Sequence, residues 1–444
     1  MEQIKEIRVE GFPTDSQSLL YAKEIVAQQG VKGMVVLPDA YTKKKYLHTY
    51  IKTTVPSSTA IVSDITHLYP QFRYRGINCG MQVIALPFAR AELSDACIQQ
   101  LIQRIQYNVQ YYMGYRLRLP LFPGSYDLSK SEFHTVLERG APALVEKYQI
   151  EKTDVDAMEF GGCLEESSID EYRQYLSDDW LEKRTVRLRY SFGRYFGGNH
   201  FFEIQEVQDV DAASALSTKI KKGQLVVMFH TAGDSIADML HDTYVQQCFG
   251  TDSYHALAAD AKARKAFLVG MNMAMNYGYA YRLATFAMVS DAIKKVYGQD
   301  HTARMIVDKS HNHIRKERVH NEDVFVYRHN AERIYPGEVG ILSGYYDHSS
   351  YLVEGGENLE ETYFTMDHGI GKILEQSADR RMNTDRHVDV YRAKKGIRIP
   401  GALHKRTATH VSHPLVDEYL ALMNKKRYIH KVATLDPIMN LKST

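Results

Sequence analysis

Only four of the 444 residues are cysteine and one is tryptophan. Cys79, Cys97, Cys163 and Cys248 are too few and too scattered for a disulfide framework in a chain of this size, which fits a reducing compartment. No run of about 18 apolar residues, the length that spans a bilayer, occurs anywhere. The N-terminus, Met1-Glu2-Gln3-Ile4-Lys5-Glu6, has no apolar signal core, so the expected location is the cytoplasm. A charge excess is missing too. With 55 basic and 54 acidic residues the formal net charge is +1, and no overall field draws the chain onto nucleic acid or an anionic membrane. Any RNA contact has to be local. The sequence also lacks the Gly-x-x-x-x-Gly-Lys-Ser/Thr phosphate loop, the His-Glu-x-x-His zinc helix, the Gly-x-Ser-x-Gly elbow and the Lys-x-Asp-Gly of lysine-type nucleotidyl transferases.

What is present reads as a globular protein, with 44% hydrophobic and 25% charged residues, enough to bury a sizeable core. Apolar positions at helical spacing predict a helix within Thr14–Gln29, with Thr14 or Asp15 as N-cap, and a second that Ser94 caps and that runs to about Tyr112. A long helix is expected over Ala261–Tyr297. Strands are expected at Gly33–Leu37, Met81–Phe88, Arg184–Phe192, Phe201–Val207, Gln224–His230, Met305–Asp308, Val324–Arg328 and Val339–Leu342. Helices and strands do not strictly alternate, which predicts an α+β fold of mixed β-sheets with packed helices. Length alone does not divide the chain into domains, and residues 118–180, rich in charge and turns, are expected to be an insertion or helical subdomain.

Nineteen histidines make a lone histidine uninformative, so position in the pattern matters more. Cys79 precedes a glycine at the entry to a strand, where a thiolate can approach a divalent ion. His230 ends the apolar run Leu225–Phe229, and His311 in Ser310-His311-Asn312-His313 follows a strand in the same way. Thiolate with neutral imidazole suits manganese, iron or zinc. Taken singly, each of these residues also reads as a buried structural side chain. Gly197-Gly198-Asn199-His200 forms a tight turn into a strand, where backbone can approach a phosphate. His368-Gly369-Ile370-Gly371-Lys372 sets a histidine in a glycine turn with a lysine four residues on, which suits a nucleophile with a charge-neutralising partner.

These segments, in this order, resemble the RtcB-type RNA-splicing ligases from about Val35 to the last residues. Ile77-Asn78-Cys79-Gly80-Met81 is similar to the family's metal-binding Asp-Ile-Asn/Gly-Cys-Gly-Met. The run from Gly198-Asn199-His200-Phe201 to Glu203 and Gln205 resembles its Gly-Asn-His-Phe-x-Glu-x-Gln. Met275–Arg282 resembles a helix of the form Asn-Tyr-Ala-x-x-Asn-Arg, and Arg328–Ile341 the approach to its nucleotide loop. Lys431–Pro437, closed by Lys442, resembles the C-terminal signature with its guanine-contacting lysine.

The resemblance implies a GTP- and manganese-dependent ligase that joins an RNA 3′-phosphate or 2′,3′-cyclic phosphate to a 5′-hydroxyl. It implies one metal on Cys79, His230 and His311, and a second shared by Cys79 and His200. Asn199 and Glu203 would hold the guanine nucleotide, with Ser350, Tyr351, Lys372 and Lys442 around it. His368 would become guanylylated. Several positions depart from the family pattern. Gly76 stands where an aspartate ligand is usual, Tyr41 replaces a histidine, Lys372 an arginine, and Gly233-Asp234 a Ser-Arg pair. These leave open a related guanylyltransferase acting on another nucleic-acid end, and a nucleotide- or RNA-binding homologue without catalysis.

Overall fold

The computed structural model describes residues 4–10, 12, 14–42, 55–72, 76–109, 125–164, 170, 186, 188–190, 192–193, 200–231, 236, 254–257, 261–344, 348–376, 390–393 and 414–443. Among the described residues, fifteen strands numbered along the chain form three sheets. The first has β1 (Ile4–Glu6), β2 (Val31–Val36), β3 (Thr59–Asp64), β9 (Glu322–His329) and β8 (Asn312–Val319) side by side. The largest runs β11 (Val339–Leu342), β12 (Ser350–Gly355), β15 (Ile429–Ser443), β5 (Phe201–Val210), β6 (Gln224–Thr231), β4 (Gly80–Ala89) and β7 (Arg304–Ser310), with β14 (Val390–Ala393) also on β15. β10 (Ala331–Arg333) and β13 (Thr365–Asp367) pair with each other. The fold is α+β, as the element pattern predicts.

The period-2 alternation of strand side chains explains the largest sheet. Met81, Val83 and Ala85 of β4, Val226 and Met228 of β6, Val207 of β5, and Leu352, Ala433 and Leu435 share one core on its inner face. The alternate residues Ile84, Leu86, Leu225, Val227, Phe229, Phe202 and Ile204 face outward into a second core against the helix Ala261–Tyr297. Both faces being buried makes these strands read as continuous apolar runs. The end strands β7 and β11 approach each other where Lys309 donates to Glu338 at 2.8 Å, so the sheet is a nearly closed barrel. A third core packs the five-stranded sheet, through Val35, Val62 and Val326, against Val416, Tyr419 and Met423 of the helix Pro414–Lys425.

Asp15 caps the helix Ser16–Val26 by accepting from the Ser18 N–H, and Ser94 caps Asp95–Val109 by accepting from Cys97 N–H at 3.3 Å. Within 118–180, the helices Lys130–Arg139 and Lys152–Asp156 place Phe133, Val136, Leu137 and Val155 in the core of the long helix. No described helix is long and apolar enough to cross a membrane.

One expected strand is not found. Residues 186 and 188–190 are helical, with Leu188 buried and Val186 exposed. The Val186–Leu188–Tyr190 alternation imitates a strand, but Leu188 packs on the long helix, its carbonyl accepting from Tyr277 Oη at 3.2 Å. Phe192 sets its ring 5.4 Å from that of Tyr277 in the same layer. Tertiary packing outweighs the local pattern here.

Candidate metal and nucleotide centre

Antiparallel pairing in the order β5, β6, β4, β7 brings the start of β5, the end of β6, the start of β4 and the end of β7 to one edge of the barrel. His200 precedes β5, His230 lies one residue from the end of β6, Cys79 precedes β4, and His311 follows β7. Register fixes the set: His230 pairs with both Phe201 and Met81, and Gly80 with Ser310. Cys79 continues the inward face of Met81 and Val83, and His230 that of Val226 and Met228, so these side chains close the barrel core like a last layer.

Cys79 Sγ lies 2.9 Å from His230 Nε2 and 3.7 Å from His200 Nε2, and His230 Nε2 lies 3.2 Å from His311 Nε2. The donor atoms of Cys79, His230 and His311 all fall within 4.8 Å of one another, and all three residues are buried. A thiol and two imidazoles converging this closely fit a divalent transition ion. His200, 3.7 Å from the sulfur and with its ring centroid 5.2 Å from that of His230, stands outside that group of three.

The loop carrying Cys79 is fixed from three sides. Gly76 and Asn78 have φ of 58° and 55°, and the Cys79 N–H donates to the Gly76 carbonyl at 2.9 Å. Asn78 N–H donates to Asn312 O at 2.8 Å, while His311 N–H donates to Cys79 O at 2.9 Å, so backbone bonds join the Cys79 and His311 turns directly. From the long helix, fully buried Arg282 donates to the Asn78 carbonyl at 2.7 Å and to both carboxylate oxygens of Asp308 at 2.7 and 2.8 Å. Burial opposes the Arg282 charge, but Asp308 outweighs it and raises the guanidinium pKa. A Cβ on Gly80 would stand 2.6 Å from the Lys309 carbonyl and 2.7 Å from the Arg282 guanidinium, so this strand start admits only glycine.

His368 follows β13 and is half-buried. Its ring centroid is 4.2 Å from that of His311 and 6.3 Å from that of His230, so the glycine-turn histidine joins the cluster. Its Nδ1 lies 2.8 Å from the Asn330 carbonyl oxygen, an acceptor only, so Nδ1 carries the proton and a neutral ring keeps its lone pair on Nε2.

Glu203 points into the barrel, buried, and its carboxylate accepts from Gln205 Nε2 at 2.7 Å. Gln205 also donates to Ser350 Oγ at 3.2 Å, and Ser350 Oγ accepts from Gly344 N–H at 3.0 Å. This buried chain joins Glu203 to Ser350, while Tyr351 is buried on the same strand β12. Lys372 Nζ lies 4.5 Å from the centre of the Tyr41 ring, so two positions that depart from the family pattern meet as a cation–π pair. Asn199 and Gly233-Asp234 lie outside the described residues. Lys442 is placed by its strand alone, opposite Phe201 in β15.

The sequence pattern assigned no role to Arg282, Glu159 or Asn330. Arg282 was legible as a lone arginine among apolar helix residues, since a buried charge needs a partner. Glu159 holds the turn beside His311: it accepts from Ser310 N–H and Oγ at 3.2 and 2.5 Å and from Arg333 Nε at 3.1 Å. Burial would raise its pKa, but Arg333 and Lys309 outweigh burial and hold it well below the usual carboxylate range. His313 belongs to this packing and not to the group of Cys79, His230 and His311. Burial, then the Arg328 charge, pushes its pKa well down, and its Nε2 lies 3.0 Å from Arg328 Nη1. Asn330 gave no local signal, because its partner His368 is 38 residues away.

The sequence is similar to a known protein family. A family model described as tRNA-splicing ligase RtcB matches residues 23–443. The chain is similar to the tRNA-splicing ligase RtcB of Methanocaldococcus jannaschii, with 26% identity over 353 residues covering 72% of this chain and 35% of that protein. The proteins of the same name from Methanococcus maripaludis and Pyrobaculum aerophilum are each 25% identical, covering 72% and 83% of this chain and 70% and 78% of theirs. The match thus spans about a third of the Methanocaldococcus protein and over two thirds of the other two. With the family match running through every strand that carries the cysteine–histidine centre, the chain belongs to the RtcB family of tRNA-splicing ligases.

Proposed function

We propose that this protein is a GTP- and manganese-dependent RNA ligase. It joins an RNA 3′-phosphate or 2′,3′-cyclic phosphate end to a 5′-hydroxyl end in tRNA splicing or RNA repair, and works in the cytoplasm as a single catalytic domain over residues 1–444. The observation that carries this reading is the place of His368, half-buried, its Nδ1 engaged by a carbonyl and its ring against the buried His311 of the cysteine–histidine cluster.

In this reading Cys79, His230 and His311 hold one manganese ion, and His200 with Cys79 takes part in a second. Manganese bound there neutralises charge developing on a transferring phosphoryl group. Asn199, Glu203, Ser350, Lys372 and Lys442 hold the guanine nucleotide. His368 uses the Nε2 lone pair to form a P–N bond to the α-phosphorus of GTP, and diphosphate leaves with the electrons of the broken P–O bond. The guanylyl group passes from His368 to an oxygen of the RNA 3′-phosphate, returning the lone pair to Nε2. The 5′-hydroxyl then attacks the activated phosphorus, losing its proton to solvent, and GMP leaves as the strands join. A cyclic phosphate end is first opened by hydrolysis.

Gly76 favours a second reading, since it supplies no carboxylate and the cluster of three contains none. A weaker second metal fits a related enzyme that guanylylates another nucleic-acid end, or a homologue that binds without catalysis. The test is an RNA with a 5′-hydroxyl and a 2′,3′-cyclic phosphate, incubated with manganese and either GTP or ATP. Joined product with GTP alone, lost in His368→Ala, supports ligation. No joined product while other end chemistries accept the guanylyl group favours the second reading.

A further inference from the structure

We infer that Asn330 is a positioning residue, and that the peptide unit between Asn330 and Ala331 holds the nucleophile His368 and the metal ligand His311 in one frame. The inference rests on the proposed role of His368.

The carbonyl oxygen of this peptide unit accepts from His368 Nδ1 at 2.8 Å. The N–H of the same unit, on Ala331, donates to the His311 carbonyl at 3.0 Å. A trans peptide is planar, and its C=O and N–H point in opposite directions. One rigid plane therefore has the His368 ring on one side and the His311 backbone on the other, and neither can shift without tilting it.

The plane is itself held. Asn330 has φ 48°, the left-handed region that asparagine tolerates better than other residues with a side chain. Its N–H donates to Asn312 Oδ1 at 2.7 Å, its amide Nδ2 donates to Ser57 Oγ at 2.7 Å, and its carbonyl accepts a second bond from Ser58 Oγ at 3.3 Å. Asn312 follows His311 directly, so the side chain that fixes Asn330 is anchored in the metal-ligand turn. β10 pairs Ala331 with Asp367, which brings the strand ends carrying Asn330 and His368 together. An ordinary turn between β9 and β10 would need the left-handed residue but neither histidine contact. The consequence of the geometry is chemical. A carbonyl opposite Nδ1 keeps the proton there, and Nε2 is left as the nucleophilic nitrogen.

The test compares Asn330→Gly, which keeps the left-handed backbone and the carbonyl, with Asn330→Val, whose β-branch opposes that backbone. The full-length protein is labelled with 15N-histidine and loaded with zinc, which is diamagnetic. The His368 tautomer is read by long-range 1H–15N correlation, its signals identified by their loss in His368→Gln. The parent and Asn330→Gly are expected to show the Nδ1–H tautomer, and Asn330→Val the Nε2–H form. The rate of label transfer from GTP in manganese is expected to fall on the order of a hundredfold in Asn330→Val and to recover in Asn330→Gly. If Asn330→Val does not fold, Asn312→Ala, which removes the acceptor of the Asn330 N–H, is expected to shift the tautomer in the same direction. An Nε2–H tautomer in the parent overturns the inference, as does an unchanged tautomer in the variants. A parent that shows the Nδ1–H tautomer, loses it in Asn330→Val and takes no label from GTP upholds the positioning and overturns the nucleophilic role.

Discussion

Cys79 Sγ and His230 Nε2 stand 2.9 Å apart, both buried, with no carboxylate in their cluster among the described residues. Two lone-pair donors this close in a low-dielectric site repel unless a cation or a proton lies between them. Divalent metal is expected to raise the unfolding free energy by about 2.7 kcal/mol at a hundredfold excess over its dissociation constant. His311→Ala and Cys79→Ser are expected to lose bound metal in elemental analysis and to lose this stabilisation. Thermal unfolding with and without chelator measures it, and an identical midpoint in both conditions contradicts a metal site here.

Arg282 makes a buried pair with Asp308, with both side chains fully enclosed. Arg282→Met leaves the Asp308 carboxylate without its cation, at an expected cost of about 3–5 kcal/mol. Because the same guanidinium holds the Asn78 carbonyl one residue before Cys79, metal affinity should fall along with stability. Urea unfolding together with metal titration separates the two effects, and a variant with full metal affinity would show that Arg282 serves the core alone.

At Gly80 the added carbon of alanine meets a backbone carbonyl at 2.6 Å, a contact that only backbone movement relieves. Gly80→Ala is expected to cost about 1–3 kcal/mol. It is also expected to displace Cys79, which would appear as weaker metal binding in the same titration.

Legibility in the sequence followed how local each cause is. β6 was readable from Leu225–Phe229 because both of its faces are apolar, and β4 for the same reason. β8 escaped notice because Asn312–Val319 carries Arg315, Lys316, Glu317 and Arg318, and a strand that buries a charge is recognised only when its partner is known. That partner is Arg328 of β9, which donates to both oxygens of Glu317. β15 was noticed as a signature at Lys431–Pro437 and not as a strand of fifteen residues. In the site, Cys79, His230 and His311 were legible as strand-end residues, and His368 as a glycine-turn histidine. Asn330 and Asp39 were not, since their partners lie 38 and more than 300 residues away.

Asp39 accepts from the Lys372 and Ile373 N–H groups at 2.8 and 2.9 Å, at the turn that follows His368. Burial pushes Asp367 up to about 7, and burial together with the Asp367 charge pushes Asp39 well up. Both folded-state pKa values lie above the unfolded value of about 4. The folded protein therefore holds more protons in this window, and the pair's contribution to stability is full below about pH 4 and is lost as pH rises toward neutrality. Asp367→Asn is expected to flatten the dependence of the urea midpoint between pH 4 and pH 7 relative to the parent. Equal slopes in parent and variant contradict the shift.

A covalent label reads the proposed guanylyl-histidine directly. Protein is incubated with GTP radiolabelled at the α-phosphate and with manganese, then denatured and resolved by electrophoresis beside His368→Ala. Label is expected on the parent, acid-labile as a P–N bond is, and none on the variant. Label that persists in His368→Ala, or a metal-loaded parent that takes none, contradicts a guanylyl-histidine at His368.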